Sequence, residues 1–127
     1  ISLTDELRML EYMQILFHKE RNVMTNSFGS VGEFLYTSSL IGGNQALSRN
    51  SGIIASGQWA DLLTLDSDAL AFFGSSEDEI FDRWIFSAND SLVRGVWSAG
   101  RQVVMEGHHI KHEQIKKRYR NIIRQLY

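Results

Sequence analysis

Between Gly52 and Asp66 the spacing of apolar residues changes, and no single type of secondary structure fits both sides of that stretch. Upstream, apolar residues recur every three or four positions, the period of a helix packed along one face. Downstream come short β-type runs, and helical spacing returns only at the end of the chain. Within the stretch, Gly52 and Gly57 bracket Ile53-Ile54, and Leu62-Leu63-Thr64-Leu65 reads as a strand. Glycine tolerates positive φ, so Gly57 is the expected pivot between two strands. Ala60 is small enough for another backbone to approach, and the short carboxylate of Asp61 suits loop amides. The class these patterns predict is α+β: helices over 1–50, short strands in two hairpin-like pairs over 51–110, and a C-terminal helix over 111–127.

The first helix is predicted over Ile1 to Met24. Leu3, Leu7, Leu10, Met13 and Phe17 step by three or four residues along one face, and Met9, Tyr12, Leu16 and Val23 broaden it. Ser2 or Thr4 suits the cap, with Asp5 and Glu6 at the positive end of the helix dipole. After a Ser- and Gly-rich loop over Asn26 to Gly32, a second helix is predicted over Val31 to Leu47. Phe34, Leu35, Leu40, Ile41 and Ala46 are its expected buried residues. Gly42-Gly43 within it costs about 1 kcal/mol per glycine relative to alanine, which implies close packing against a neighbour or a kink. A phosphate-cradling loop is set aside, because the G-x-G-x-x-G spacing and a preceding strand are both missing.

Asp68 to Gly74 reads as irregular or briefly helical. Ser75-Ser76-Glu77-Asp78-Glu79 reads as a capped helix start that continues through Ile80, Phe81, Trp84 and Ile85. Its acids point in different directions around a helix, so a solvated helix start is favoured over a cation site. Leu92 to Trp97 and Gln102 to Met105 form the clearest hairpin, turning at Ser98-Ala99-Gly100-Arg101. Gly107 ends the second strand. The final helix, Lys111 to Leu126, carries a narrow stripe of Ile115, Tyr119, Ile122, Ile123 and Leu126, of a width suited to docking on its own domain.

Charge is uneven. From His108 to Tyr127 the chain is +5, so with an overall formal charge of −2 the remainder is −7. A basic helix raises nucleic acid or an acidic membrane as partners, but the acidic remainder and the two tyrosines of this segment argue against both. No apolar run is long enough to span a bilayer, and no secretory signal pattern is present. With no cysteine there is no disulfide and no thiolate ligand, which fits a cytoplasmic protein.

Candidate chemistry is sparse. His108 and His112 have the four-residue spacing of zinc sites, but no Glu-x-x-His pattern accompanies them and His18 lies on a remote helix. His108 and His109 are therefore read as solvated turn residues. Ser30 and Ser56 neighbour glycines without forming a Gly-x-Ser-x-Gly elbow. Asp61, Asp66 and Asp68 cluster in sequence, and nothing singles one out as a proton carrier. No catalytic residue and no metal ligand is assigned, and the substrate-binding residues are not identified.

A set of stretches nevertheless resembles one family. These are Glu6-Leu-Arg-Met-Leu-Glu-Tyr12, Arg21-Asn-Val23, the Gly42-Gly43 to Ala46-Leu47 region, Gly57-Gln-Trp-Ala-Asp-Leu62, Asp82-Arg-Trp-Ile-Phe86, Val93 to Trp97, Ala99-Gly-Arg101, Val103-Val104 and Gly107-His-His109. Ala-Asp-Leu and Gly-Arg-x-Val-Val are widespread in the amidohydrolase superfamily. The Leu-Glu-Tyr, Arg-Asn-Val and Asp-x-Trp-Ile-Phe pieces resemble more narrowly the carboxy-terminal portion of its N-formimino-L-glutamate deiminases, enzymes of histidine degradation. The resemblance implies that 1–50 are two helices from the end of a (β/α)₈ barrel, a fold of roughly 250 residues that this chain is too short to contain, and that 51–110 are part of the family's small β-domain. It also implies a parent hydrolase that uses water on a divalent metal, usually zinc, to cleave a formimino C=N bond. The family's ligands, a His-x-His pair, a further His and an Asp, match no position here. Ile1 in place of an initiator methionine agrees with an excised or processed piece.

The chain alone is accordingly expected to be inactive and to hold no cofactor. Its expected partners are the missing N-terminal barrel portion and further copies of itself, associating through the apolar faces of the first two helices. Two alternatives stay open: a fragment of another deaminase or chlorohydrolase of the superfamily, and a stand-alone noncatalytic self-associating module.

Overall fold

The computed structural model describes residues 1–25 and 29–126. Helix α1 spans Leu3–His18 and α2 spans Val31–Leu47. Strand β1, Leu62–Leu65, is followed by a 3₁₀ turn at Leu70–Phe72. A composite helix then runs from 3₁₀ at Glu77–Glu79 through α3, Ile80–Asp82, into a π turn at Arg83–Ser87. A 3₁₀ turn at Asp90–Leu92 leads into β2, Val93–Ser98, β3, Arg101–Met105, and β4, His108–His109. Helix α4, His112–Leu126, comes last.

The strands form one antiparallel sheet of four in the order β1-β2-β3-β4. The hairpin expected around Gly57 does not form: Ile53-Ile54 is not a strand, and β1 pairs with β2, Leu62 opposite Trp97. Gly57 does take positive φ, 85°, but in a turn of an exposed loop. The β2–β3 turn has positive φ at both Ala99 (52°) and Gly100 (74°), the signature of a tight hairpin whose twist matches its strands. The expected loop at Asn26 to Gly32 falls partly on residues 26–28, outside the described residues.

Helix α1 is shorter than its apolar periodicity predicts. It ends at His18, where Lys19 turns into the left-handed region and donates its N–H to the carbonyl of Ile15. The predicted α2 matches its observed bounds. The core lies where α1 and α2 meet the composite helix: Leu7, Val31, Leu35 and Ile85 cluster, with Met24, Tyr36 and Phe86 packed against them. The π turn brings the consecutive residues Trp84 and Ile85 both inside, at 1% and 0% exposure. Tyr36 stacks on Phe81 at 4.9 Å and meets Trp84 edge-on at 5.6 Å.

The buried face of α1 is not its most apolar one. Of Leu3, Leu7, Leu10, Met13 and Phe17 only Leu7 is buried, whereas Thr4 (0% exposed) and Glu11 (2%) face the core. Similarly, in α2 Leu35 is buried, Phe34 and Leu40 are half-buried, and Ile41 and Ala46 are exposed. Gly42 and Gly43 lie in continuous helix, and a methyl group at either would meet no described atom within 4 Å. The close packing expected there is absent among the described residues.

Candidate functional site

The motif pieces that are scattered in sequence converge in space. Glu11, from Leu-Glu-Tyr, accepts hydrogen bonds from the amides of Val23 and Met24 at 2.9 Å each, and so ties the helix to Arg-Asn-Val. Asp82, from Asp-x-Trp-Ile-Phe, accepts from the Gly32 amide at 2.6 Å, at the start of α2. Gly32 must be this small: a Cβ there would stand 2.5 Å from the backbone of Phe81. Arg83 donates to the carbonyl of Phe73 at 3.3 Å and pairs with Glu79 at 3.0 Å. Tyr12 and Phe86 bring their rings within 6.2 Å. Together Glu11, Tyr12, Asp82, Arg83, Phe86 and Ser87 line an open cleft of about 450 Å³.

Two further connections lock this joint. Arg8 reaches from α1 to cap the end of the π turn, donating to the carbonyls of Ile85 at 2.8 Å and Ala88 at 2.7 Å. In return Asp90 caps the start of α1, accepting from the amides of Leu3 at 3.0 Å and Thr4 at 3.2 Å, while Ser2 accepts from Asp5. Burial pushes the Asp90 carboxyl pKa up, but hydrogen bonds from Ser2, Thr4 and Leu3 outweigh it and hold it below the ordinary value. Burial of Tyr36 raises its hydroxyl pKa.

The Ala-Asp-Leu piece does the same for the sheet. Asp61 forms an ion pair with Arg49 at 2.7 Å and accepts from the Ala99 amide at 2.8 Å, and the Gly100 amide donates to Ala60 at 2.8 Å. Arg49 also lies over the Trp59 ring at 4.9 Å. One carboxylate thus holds the exit of α2, the entry to β1 and the β2–β3 turn together, the use of Ala60 and Asp61 that their sizes suggested.

The candidate chemical residues do not assemble. His18 ends α1 against Phe17, and His109 uses Nδ1 to accept from the Lys111 amide. His108 and His112 meet edge-on at 5.5 Å. His108 and His109 form β4 and are not a turn. Among the described residues no three His, Cys, Asp or Glu side chains are grouped to hold a metal ion, so the donors do not fit one. Ser30 caps α2, accepting from Glu33, and Ser56 is an exposed loop residue. Asp66 accepts from the Asp68 amide within its own turn. Ser76 and Glu79 form a reciprocal capping box, with Glu77 and Asp78 exposed beside it. What sequence reasoning missed is that Glu11, Asp82 and Arg8 face inward. An acid at a helix position next to apolar residues was the available signal. No described helix is long and apolar enough to cross a membrane.

No family model matches the chain. It is 36% identical over 99% of its length to formimidoylglutamate deiminase of Pseudomonas aeruginosa, and spans 28% of that enzyme. Among solved structures, an amidohydrolase from Brucella melitensis matches 98% of the chain with a TM-score of 0.86 and 32% identity, the chain covering 27% of it. The resemblance read from the sequence motifs thus holds: the chain is similar to the carboxy-terminal portion of a formimidoylglutamate deiminase.

Proposed function

We propose, on the premise that this chain is similar from end to end to part of an amidohydrolase, that it is the carboxy-terminal portion of a cytoplasmic metal-dependent hydrolase acting on the formimino C=N bond of N-formimino-L-glutamate. In this reading α1 and α2 are the last helices of a (β/α)₈ barrel, the sheet is part of a small β-domain, and α4 is a third unit. The metal ligands and the substrate-contacting groups belong to the remaining portion, and this chain supplies none of them. Its work is to close the barrel and to hold the small domain against it through the Glu11, Asp82, Arg8 and Asp90 connections. No step of the reaction is carried by residues described here.

One observation carries the reading. The chain exposes 9814 Å², against the roughly 6,900 Å² expected of a compact monomer of 14.5 kDa. Exposed apolar side chains lie along α1, on the loop at Ile53-Ile54, at Leu70 and Phe73, and along α4. The apolar stripe of α1 is uncovered, and an apolar groove of about 330 Å³, walled by Ile53, Ile54, Leu62, Leu63, Phe81 and Trp84, lies beside the unpaired edge of β1. Such an edge is a template for further strands.

The test is reconstitution. The chain purified alone, with zinc and N-formimino-L-glutamate, is expected to release no ammonia. Co-expressed with the amino-terminal 72% of the Pseudomonas aeruginosa relative it is expected to co-purify and to restore turnover. Enzyme-like ammonia release by the chain alone overturns the reading. So does failure of the two portions to associate while the intact relative remains active. A noncatalytic self-associating module is the second reading, favoured by the same bare α1 face, which is large enough to drive association.

A further inference from the structure

Helix α4 contributes nothing to the core. Every residue from His112 to Leu126 is exposed, including the whole stripe of Ile115, Tyr119, Ile122, Ile123 and Leu126. The docking onto its own domain that the stripe suggests does not occur. At about 100° per residue these five occupy one sector of the helix, with Lys116 on one side of it and Lys111 and Arg118 on the other. Elsewhere the chain offers a surface of matching character. Residues 66–79 hold five acids and no base; Glu79 is paired with Arg83, and Asp66, Asp68, Glu77 and Asp78 make no ion pair among the described residues, an acidic surface opposite in sign to the +5 terminal segment. Within them Leu70 and Phe73, at the start and just past the end of the 3₁₀ turn, are 89% and 85% exposed.

We propose that α4 docks on segment 66–79 of a second copy of this chain, reciprocally, in a two-fold dimer. Ile115, Tyr119, Ile122 and Leu126 cover Leu70 and Phe73, and the flanking lysines and arginines face the acids. The chain's own segment leaves the stripe bare, because every residue of α4 stays exposed. Residues 66–79 leave the sheet from β1 at one edge, α4 leaves from β4 at the other, and only Ile110-Lys111 join β4 to α4. A two-fold axis presents each α4 to the other copy's acidic segment and makes every contact twice. The inference does not depend on the reaction proposed above.

The experiment uses the 127-residue chain in two variants, I115D/I122D and L70D/F73D, whose replaced side chains are exposed or, for Ile115 and Ile122, outside the core. Far-ultraviolet circular dichroism checks that each is folded. Sedimentation equilibrium at micromolar concentration is expected to show a dimer for the parent chain, weakened at least tenfold in either variant and also weakened by 0.5 M salt. Mixed in equal amounts, the two variants keep one intact contact between them, α4 of L70D/F73D on segment 66–79 of I115D/I122D. A heterodimer is therefore expected in the mixture under conditions where each variant alone is monomeric. Association that survives both variants runs through another face, α1 above all, and overturns the proposal, as does a monomeric parent chain. Vesicles of phosphatidylglycerol that bind the parent and L70D/F73D equally but not I115D/I122D, with no dimer in solution, overturn it in favour of an anionic membrane surface.

Discussion

Replacing Glu11 by alanine strips two backbone amides of their acceptor in one step. The carboxylate is buried and its hydrogen bonds to Val23 and Met24 are charge-assisted, so the expected loss is about 2 kcal/mol, measured by urea unfolding. Glutamine at 11 keeps one acceptor and should lose less, a ranking that a purely apolar role for the position would not produce. Asp90 allows a test with pH. Its hydrogen bonds to the start of α1 lower its pKa in the folded chain. The stabilisation from that shift is therefore complete well above the unfolded value of about 3.9 and is lost as pH falls through the lower folded value. Asp90→Ala should cost about 1 kcal/mol at neutral pH, as loss of a helix cap does, and the gap to the parent chain should narrow below about pH 4. A gap that stays constant down to pH 2 would show that the carboxylate charge plays no part. The role of Asp90 was not visible in sequence, since its partners Leu3 and Thr4 lie at the other end of the chain, whereas Glu11 carried the one available signal, an acid beside apolar helix positions.

At the scale of elements, local patterns proved legible where the chain contacts itself. The bounds of α2 were read as observed, Ala99-Gly100 marked the β2–β3 turn, and Ser76 with Glu79 marked a capped helix start, each because its determinants lie within a few residues. The strand at Leu62–Leu65 was legible too, but its partner was not, because pairing with β2 depends on residues some thirty positions away. Helix α1 is the instructive failure. Its hydrophobic stripe correctly signalled a helix and wrongly signalled which side is inside, since Thr4 and Glu11 reach partners that periodicity cannot reveal. Gly42-Gly43 poses the same problem in testable form. With open space around both, Gly42→Ala with Gly43→Ala should stabilise this chain by about 1–2 kcal/mol, read as a rise in thermal midpoint. Introduced into a full-length relative, the same pair should destabilise if barrel neighbours pack against these glycines. Equal stabilisation in both settings would remove the packing argument for them.

For the molecule as a whole, the decisive quantity is surface. A chain of 14.5 kDa exposes about 21,000 Å² when unfolded. Folding to 9814 Å² buries about four-fifths of what a compact monomer of that mass would bury. The slope of unfolding free energy against urea follows the area exposed on unfolding. The chain, diluted until it is monomeric, should therefore show a slope about one-fifth below that of a compact 127-residue domain, with a correspondingly small heat-capacity change. Both should rise on adding the amino-terminal portion of a related hydrolase, because the area then buried in the interface is released on unfolding. A monomer slope equal to that of a compact domain would mean that the α1 stripe and the β1 groove close on themselves in solution. The chain would then be a self-sufficient unit, and the case for a missing barrel would rest on sequence similarity alone.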